Sequence, residues 1–175
     1  MTRVFGIAGR SGSGKTTLIE AMLPLLRARG LSVNIIKHSH HDIELEPAHK
    51  DSARFRGAGA QEVMIASPFR YAILHELRQR PEPDLAEQVA RLAPADLTLV
   101  EGFKNERIPR LEVFRPEAGK APLHAAPASG FVAVATNAVL DTALPCLPLD
   151  EPQTVAAFIC RFLGLAEQSA EDGGN

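Results

Sequence analysis

The sequence predicts an α/β fold with a mostly parallel central sheet flanked by helices. Apolar runs of strand length alternate with helical stretches along the chain, and the first run is followed by a glycine-rich loop and a helix. At 175 residues, with 45% hydrophobic and 23% charged residues, the chain is long enough for one well-filled core. We therefore expect a single domain over residues 1–166, followed by a disordered polar tail at 167–175.

The first three elements form a βαβ unit. Residues 4–8 are apolar and predict a buried strand, and residues 15–29 predict a helix that Gly30 can end. Residues 32–37 predict the second strand. Two strands joined by a helix pair in parallel, so the sheet starts as a parallel one.

The later elements continue the alternation, with one exception. Residues 38–49 show little apolar periodicity and predict a loop, and residues 50–57 a short helix with Asp51 or Ser52 as N-cap. Two short strands on either side of a Ser67-Pro68 turn predict a short antiparallel extension. The elements expected here and beyond are strands at 62–66 and 70–74, a helix at 84–92, strands at 97–100, 111–114 and 131–135, an exposed loop at 115–130 and a helix at 154–163.

The glycine-rich loop carries the most specific motif. Residues 9–17 read GRSGSGKTT and match G-x-x-x-x-G-K-[ST] at every fixed position. Glycines let the backbone wrap a phosphate, while loop N–H groups and the helix N-terminus attract the anion. This motif predicts a P-loop NTPase fold, in which Lys15 reaches the β- and γ-phosphates and the Thr16 hydroxyl ligates Mg²⁺. The predicted nucleotide-binding residues are Gly12, Ser13, Gly14, Lys15, Thr16 and Thr17.

An acidic residue ends the apolar run at 97–100. The four-residue run followed by Glu101 is similar to a Walker B element. Glu101 would then hold a Mg²⁺-bound water or polarise the attacking water. We take Lys15 and Glu101 as the candidate catalytic residues. Because Mg²⁺ prefers oxygen ligands, Asp42 is a third candidate metal ligand beside Thr16 and Glu101.

Other polar residues could serve a second ligand or another metal. His38, His40 and His41 with Asp42 could bind a transition metal, although a structural or phosphate-contacting role is the alternative. A segment with Lys50 and Asp51 could contact a phosphate or simply form a solvated helix face. Arg10 could reach the nucleotide of a partner copy or point outward.

The sequence leaves the nucleobase preference open. The chain has no Asn-Lys-x-Asp string, which P-loop GTPases use to read guanine. Thr136 and Asn137 follow a predicted strand, and Asp141 lies further on, in a sensible place for a base-contacting loop. The residues alone do not decide between guanine and adenine.

Charge and composition argue against several other functions. The formal charge of −2 gives no support for a nucleic-acid-binding surface, and no apolar run approaches the roughly 20 residues that span a membrane. The first strand starts with no charged leader, so we expect a cytoplasmic protein. Cys146 and Cys160 show no zinc or redox spacing and are expected to be buried thiols.

Several strings together resemble one family. The phosphate loop with Leu18, the IKHxHHD string at 36–42, KDS at 50–52, AGA at 58–60 and LVEGFK at 99–104 are similar to the molybdopterin-guanine dinucleotide biosynthesis adapter proteins, protein B of that pathway. The resemblance covers residues 3–165. One departure is Ala48-His49, where the family has Pro-Gly, and Glu44 and Glu46 stand where Asp is frequent.

The resemblance implies a cytoplasmic, homodimeric GTP-binding protein with weak Mg²⁺-dependent GTPase activity. It would assist the nucleotidyltransferase that joins GMP to molybdopterin, or help to deliver the finished cofactor to molybdoenzymes. Residues 12–17 would bind phosphate and Mg²⁺, with Glu101 at the metal. The neighbouring surface would be lined by Lys37, His38, Asp42, Lys50, Asp51 and Lys104.

Two other functions fit the same motif. A P-loop kinase would use the same loop and Mg²⁺ site to phosphorylate a small molecule, with Arg54, Lys50 or His38 holding the acceptor. A nucleotide-sensing scaffold would bind nucleotide with no appreciable hydrolysis. Turnover that requires an acceptor would favour the kinase, and single-turnover hydrolysis would separate the scaffold from a GTPase.

Overall fold

Strands and helices alternate along the chain as the sequence predicts. The structure is a computed structural model that describes residues 2–39, 41–102, 106–126 and 130–165. The chain divides into two compact units, Met1–His38 with Gln88–Asn175, and Ser39–Glu87. The strands are β1 (Arg3–Ala8), β2 (Val33–Lys37), β3 (Glu62–Ala66), β4 (Tyr71–His75), β5 (Leu97–Glu101), β6 (Arg110–Val113), β7 (Phe131–Ala135) and β8 (Cys146–Leu147). The helices are α1 (Lys15–Ala28), α2 (Asp51–Gly57), α3 (Leu85–Ala90) and α4 (Pro152–Leu163), with a 3₁₀ turn at Pro116–Ala118.

The first unit is built on a six-stranded sheet with the order β2-β5-β1-β6-β7-β8. Every pairing in it is parallel. The four residues of β6 and the first four of β5 are buried, as expected of central parallel strands covered on both faces. The predicted α/β fold with a mostly parallel sheet is confirmed, and all carboxyl ends of these strands lie along one edge.

Two helices cover the core of the sheet. The buried side chains of α1 recur at helical spacing, at Leu18, Met22 and Leu26, and α4 contributes Val155 and Ile159 to the same apolar cluster. The predicted end of α1 agrees with the structure to within one residue, since Arg29 is the C-cap and Gly30 follows with a φ of +77°.

The second unit contains the predicted antiparallel pair. Strands β3 and β4 form a separate two-stranded sheet, in which Glu62 pairs with His75 and Ala66 with Tyr71. The N-cap of α2 was expected at Asp51 or Ser52, and this prediction is wrong because Lys50 occupies the position. The Ser52 hydroxyl donates instead to the Glu46 carboxylate, so it is not available to cap the helix.

Three further expectations need correction in the first unit. The short strand β8 was missed, because two residues between prolines give no readable strand pattern. Cys146 lies on this edge strand and is exposed, whereas Cys160 is buried as expected. The region 115–130 is not simply an exposed loop, because the His124 side chain is only 8% exposed. Its ring contacts the carboxylate of Glu112 in β6. In the described ranges no helix is long and apolar enough to cross a membrane.

A polar contact links the starts of β2 and β5. The Asp96 carboxylate accepts hydrogen bonds from the backbone N–H and hydroxyl of Ser32, at 2.8 and 2.6 Å. The Ser32 hydroxyl oxygen in turn accepts the Asp96 N–H at 3.0 Å. These hydrogen bonds hold the pKa of Asp96 below its usual value of 3.8. The bond from the Ser32 hydroxyl has the largest effect, and the bond from the Ser32 N–H follows. The contact therefore favours the folded state when Asp96 is ionised.

We expect the Ser32–Asp96 contact to make a pH-dependent contribution to stability. A carboxyl whose pKa is lower in the folded state stabilises fully above its unfolded pKa and loses that effect as pH falls through the folded pKa. Because the site is exposed, Ser32→Ala should lower the free energy of unfolding by about 1 kcal/mol or less at pH 7. Urea unfolding should show this difference shrinking below about pH 4. In the Asp96→Asn variant, this contact should make no pH-dependent contribution to stability. If the stability deficit of Ser32→Ala stays constant down to about pH 2, the ionised Asp96 is not the cause of the deficit.

Candidate functional site

The glycine-rich loop leaves β1 at the carboxyl edge of the sheet. Strand β1 lies between β5 and β6, so the ends of these two strands flank the loop. Helix α1 begins at Lys15, directly after the loop, and its first turn contains Thr16 and Thr17. The predicted strand, loop and helix are thus all present, at the edge where open α/β sheets bind ligands.

Two glycines explain how the loop keeps its shape. Gly9 has a φ of +152°, and a Cβ there would lie 2.5 Å from the carbonyl oxygen of Val113 at the end of β6. Gly14 is the N-cap of α1 in the left-handed conformation, with a φ of +95°. Residues with a side chain rarely adopt these torsions, so the glycines let the loop pack onto β6 and turn into the helix.

The Lys15 side chain folds back along the loop. Its ammonium group donates to the carbonyl oxygen of Arg10 at 3.1 Å, which holds a positive charge beside the loop backbone. Ser13 is buried, and in the described part of the chain its hydroxyl has no hydrogen-bond partner. An unsatisfied buried hydroxyl is a cost that native structures mostly avoid, and such groups cluster where function demands them.

Glu101 lies beside the first turn of α1. The register of β1 and β5 places Glu101 opposite Ile7, next to the start of the loop. The Thr16 hydroxyl is 3.3 and 3.4 Å from the two carboxylate oxygens of Glu101. A hydroxyl and a carboxylate at this separation offer the hard oxygen ligands that Mg²⁺ prefers, so the residues fit the metal that the loop implies.

Lys37 and His38 also lie at this edge. Lys37 ends β2 and is paired in register with Glu101, and the His38 N–H donates to the carbonyl oxygen of Glu101 at 3.0 Å. A Cβ on Gly102 would lie 3.3 Å from the carbonyl oxygen of His38. The structure therefore brings Lys37 and His38 together with Glu101.

Of the remaining predicted site residues, Arg10 lies in the loop, Lys104 lies outside the described ranges, and the others lie in the second unit. Asp42 accepts the N–H of its neighbour Ile43, Lys50 is the N-cap of α2, and the exposed Asp51 pairs with Arg54 at 3.5 Å. The roles predicted for them, with Asp42 at the metal and Lys50 and Asp51 at a second-ligand surface, stay predictions. Lys104 and His40, like the tail at 167–175, fall outside the described residues. Among residues that are described, no three His, Cys, Asp or Glu side chains form a group able to hold a metal.

The second unit has a polar cavity of its own, of about 470 Å³. Arg56 bridges two carboxylates, those of Glu76 at 2.7 Å and Glu46 at 3.3 Å. The hydrogen bond that Arg56 donates to the Glu76 carboxylate is the main cause that raises the pKa of Arg56. The charged residues lining the cavity are Asp42, Glu44, Glu46, Arg56, Glu76 and Arg78.

The segment suggested for base contact is the loop after β7, and it is bonded to the loop after β8. Asn137 follows β7, and its side-chain oxygen accepts the N–H of Leu149 at 2.8 Å, which ties the loop after β7 to the loop after β8. Thr136 is buried, and its hydroxyl oxygen accepts the N–H of Ala138 at 3.1 Å. Both residues follow β7 directly and lie at the carboxyl edge of the sheet.

Sequence reasoning missed three residues beside the loop. Arg115 follows β6, and its Nε donates to the carbonyl oxygen of Ser13 at 3.2 Å. Glu112 in β6 is fully buried and bonded to His124. The available sign was an acid between Leu111 and Val113 in an otherwise apolar run, which has to find a partner if the run is buried.

Comparison with known proteins agrees with this architecture. Residues 4–137 match the family model described as molybdopterin guanine dinucleotide synthesis protein B. The chain is 42% identical to the molybdopterin-guanine dinucleotide biosynthesis adapter protein of Haemophilus influenzae, covering 91% of this chain and 89% of the relative. It is 35% identical to the Escherichia coli adapter protein, covering 93% and 94%.

A solved structure supports the same relationship. The crystal structure of a molybdopterin-guanine biosynthesis protein B superimposes with a TM-score of 0.70 at 30% identity, covering 91% of this chain and 99% of that one. The phosphate loop, the fold and the relatives lead to one conclusion: this chain belongs to the MobB family, the molybdopterin guanine dinucleotide synthesis protein B family.

Proposed function

We propose that this chain is a GTP-binding adapter with weak Mg²⁺-dependent GTPase activity that acts in molybdopterin guanine dinucleotide biosynthesis. Family membership supports the adapter role in this pathway. The observation that carries the nucleotide part is the contact between Thr16 and Glu101 at the mouth of the phosphate loop. A hydroxyl in the first helical turn and a carboxylate on the neighbouring strand are what a Mg²⁺-nucleotide site requires.

Each residue of the site has a definite task in this proposal. The loop amides from Gly12 to Thr17 bind the phosphates, and the Lys15 ammonium exchanges the Arg10 carbonyl oxygen for phosphate oxygens. Thr16 and Glu101 would hold Mg²⁺, and the bound ion would neutralise negative charge on the phosphates. Residues 102–109, which follow Glu101 in the sequence, include no glutamine to orient water, and we therefore expect slow hydrolysis.

Nucleotide titration tests the proposal directly. Calorimetry with the purified full-length chain should show tight binding of GTP with Mg²⁺ and much weaker binding of ATP. Single-turnover hydrolysis should be slow but measurable, and should accelerate when the correct partner is added. A clear preference for ATP, or turnover only with a small-molecule acceptor, would overturn the GTP-binding adapter.

The partner can be identified by capture from cell extract. We propose the nucleotidyltransferase that joins GMP to molybdopterin, or a molybdoenzyme that receives the finished cofactor, as the bound protein. Capture should be stronger with a nonhydrolysable GTP analogue than with GDP, because an adapter that reads nucleotide distinguishes the two. Absence of both protein classes from the captured material in either state would contradict this partner assignment.

The cytoplasmic location expected from the sequence stays a prediction.

We also propose that the chain forms a homodimer through the β3–β4 hairpin. By the alternation of strand side chains, Met64, Tyr71 and Ile73 share one face of this two-stranded sheet, and they are 61%, 68% and 52% exposed. Among the described residues this sheet has two strands only, so the outer edge of each strand has no partner strand. Adjacent exposed apolar residues beside open edges are typical of an interface, and a second copy can cover both features at once.

Charge placed on this hairpin face should separate the dimer. Met64 and Ile73 are directly opposite each other, so the Met64→Glu/Ile73→Glu variant puts two like charges into the proposed interface. Light scattering at micromolar concentration should give a mass of two chains for the wild type and one chain for the variant. Val139→Glu, at a fully exposed apolar residue of the first unit, should remain dimeric. A variant that keeps the mass of two chains would move the interface elsewhere.

A further inference from the structure

The segment after β6 turns back onto the phosphate loop. Residues 115–126 make two contacts with it through arginine side chains. Arg115 donates from Nε to the carbonyl oxygen of Ser13 at 3.2 Å, and Arg10 donates from Nε to the carbonyl oxygen of Ala121 at 3.3 Å. The segment, which we call the brace, therefore lies against the loop at two points.

A buried carboxylate anchors the brace to the sheet. Glu112 in β6 is fully buried and accepts the backbone N–H groups of Leu123 and His124, both at 2.8 Å. It is also 2.7 Å from Nδ1 of His124, and that ring packs edge-on against Phe114. Burying a carboxylate is costly unless donors surround it, so three donors make Glu112 a fixed point for the brace.

The contact of Arg115 with Ser13 affects the next amide group. The carbonyl of Ser13 and the N–H of Gly14 belong to one trans peptide unit, so they point in opposite directions. The guanidinium group lies on the carbonyl side, with Nε 3.6 Å from where a Cβ of Gly14 would be. With the carbonyl held by Arg115, the Gly14 N–H is aimed away from the guanidinium group. A hydrogen bond at the carbonyl also polarises the peptide and strengthens its N–H as a donor.

We infer that Arg115 is a positioning residue that orients the Ser13–Gly14 peptide for binding a phosphate group, and that Glu112 holds the brace which presents it. This inference rests on the proposed nucleotide binding by the loop. Arg115 acts from outside the loop, through the peptide, whereas Lys15 acts by direct contact with the ligand. The chemical class of ligand is a pyrophosphate group, free or as part of a nucleotide.

The test uses inorganic pyrophosphate with Mg²⁺ as the probe and the full-length chain. Calorimetry should show Arg115→Ala weakening pyrophosphate affinity about 5- to 20-fold, in line with the loss of one charge-assisted hydrogen bond. Arg115→Lys keeps a donor for Ser13 and should recover part of the affinity. Lys120→Ala removes the same charge from an exposed site in the brace and should bind as the wild type does.

A second readout separates positioning from general loss of structure. In ¹H–¹⁵N spectra the Gly14 amide should move downfield when pyrophosphate binds to the wild type, and should move much less in Arg115→Ala. Thermal unfolding of the free chain should change little, because Arg115 is exposed. Unchanged affinity with an unchanged Gly14 shift in Arg115→Ala would overturn the inference and leave the nucleotide site standing. If the wild type binds neither pyrophosphate nor GTP, the proposed function itself fails.

The anchor can be tested separately. Glu112→Gln keeps the shape of the side chain but removes charge and one acceptor, so the brace should loosen from the sheet. We expect a smaller loss of pyrophosphate affinity than in Arg115→Ala, and nearly no additional loss when both changes are combined, because both act on one contact. Circular dichroism and thermal unfolding establish whether the variant is folded. Additive effects in the folded double variant would show that Glu112 does not act through Arg115.

Discussion

Replacing Lys15 by Ala should lower nucleotide affinity by at least about 100-fold, since two charge-assisted hydrogen bonds to phosphate oxygens are lost. The fold should survive. Lys15 is only half-buried, its ammonium group donates to a backbone oxygen of the same loop, and alanine is a good helix former at the start of α1. Calorimetric titration with GTP and Mg²⁺ measures the loss, and circular dichroism reports on the fold.

The matched control for Lys15 is on the same helix. Arg27 in the last turn of α1 is exposed, so Arg27→Ala removes one positive charge at the far end of the helix. That variant should bind nucleotide as the wild type does. Retained affinity in Lys15→Ala would place the phosphate site away from this loop.

Replacing Glu101 by Gln should leave nucleotide binding nearly unchanged and lower Mg²⁺-dependent hydrolysis on the order of 100-fold. The amide keeps the shape of the side chain and one oxygen near the Thr16 hydroxyl, but it loses the negative charge. Single-turnover hydrolysis across a Mg²⁺ titration should show a higher metal requirement as well as a lower maximal rate.

Glu20→Gln is the control for this change. Glu20 lies one turn beyond Thr16 on α1 and is exposed, so it tests removal of a nearby carboxylate outside the proposed metal site. Its hydrolysis rate should equal that of the wild type. Equal rates in Glu101→Gln and the wild type would remove Glu101 from the reaction and make its contact with Thr16 a structural one.

The sequence predicted those parts of the molecule that depend on local pattern. The loop at 9–17 follows from glycines, a lysine and a threonine at fixed spacing, and Glu101 follows from an acid that ends an apolar run. Strand limits such as Phe131–Ala135 and Glu62–Ala66 agree with the structure, because apolar runs with clear turn residues determine them.

The neighbours of the loop could not be predicted in the same way. That β6 lies beside β1 is a property of the strand order, and this order alone brings Arg115 to Ser13. The sequence shows Glu112 as an acid within an apolar run, but it does not show the partners of this acid, because residues 123 and 124 lie in a stretch without regular pattern. Ser52 illustrates a competition between local signals, since it had the chemistry of an N-cap but bonded to Glu46 instead.

The order of strands also decides when the loop that we propose as the phosphate site can reach its final surroundings. Strand β1 carries the loop, yet its two neighbours in the sheet are β5 and β6, which lie about a hundred residues later in the sequence. During synthesis from the N-terminus, residues 97–113 leave the ribosome long after β1. Until then both edges of β1 lack β5 and β6, their partner strands in the folded sheet. Closing such long chain segments slows folding, so the loop and its two flanking strands come together late in folding.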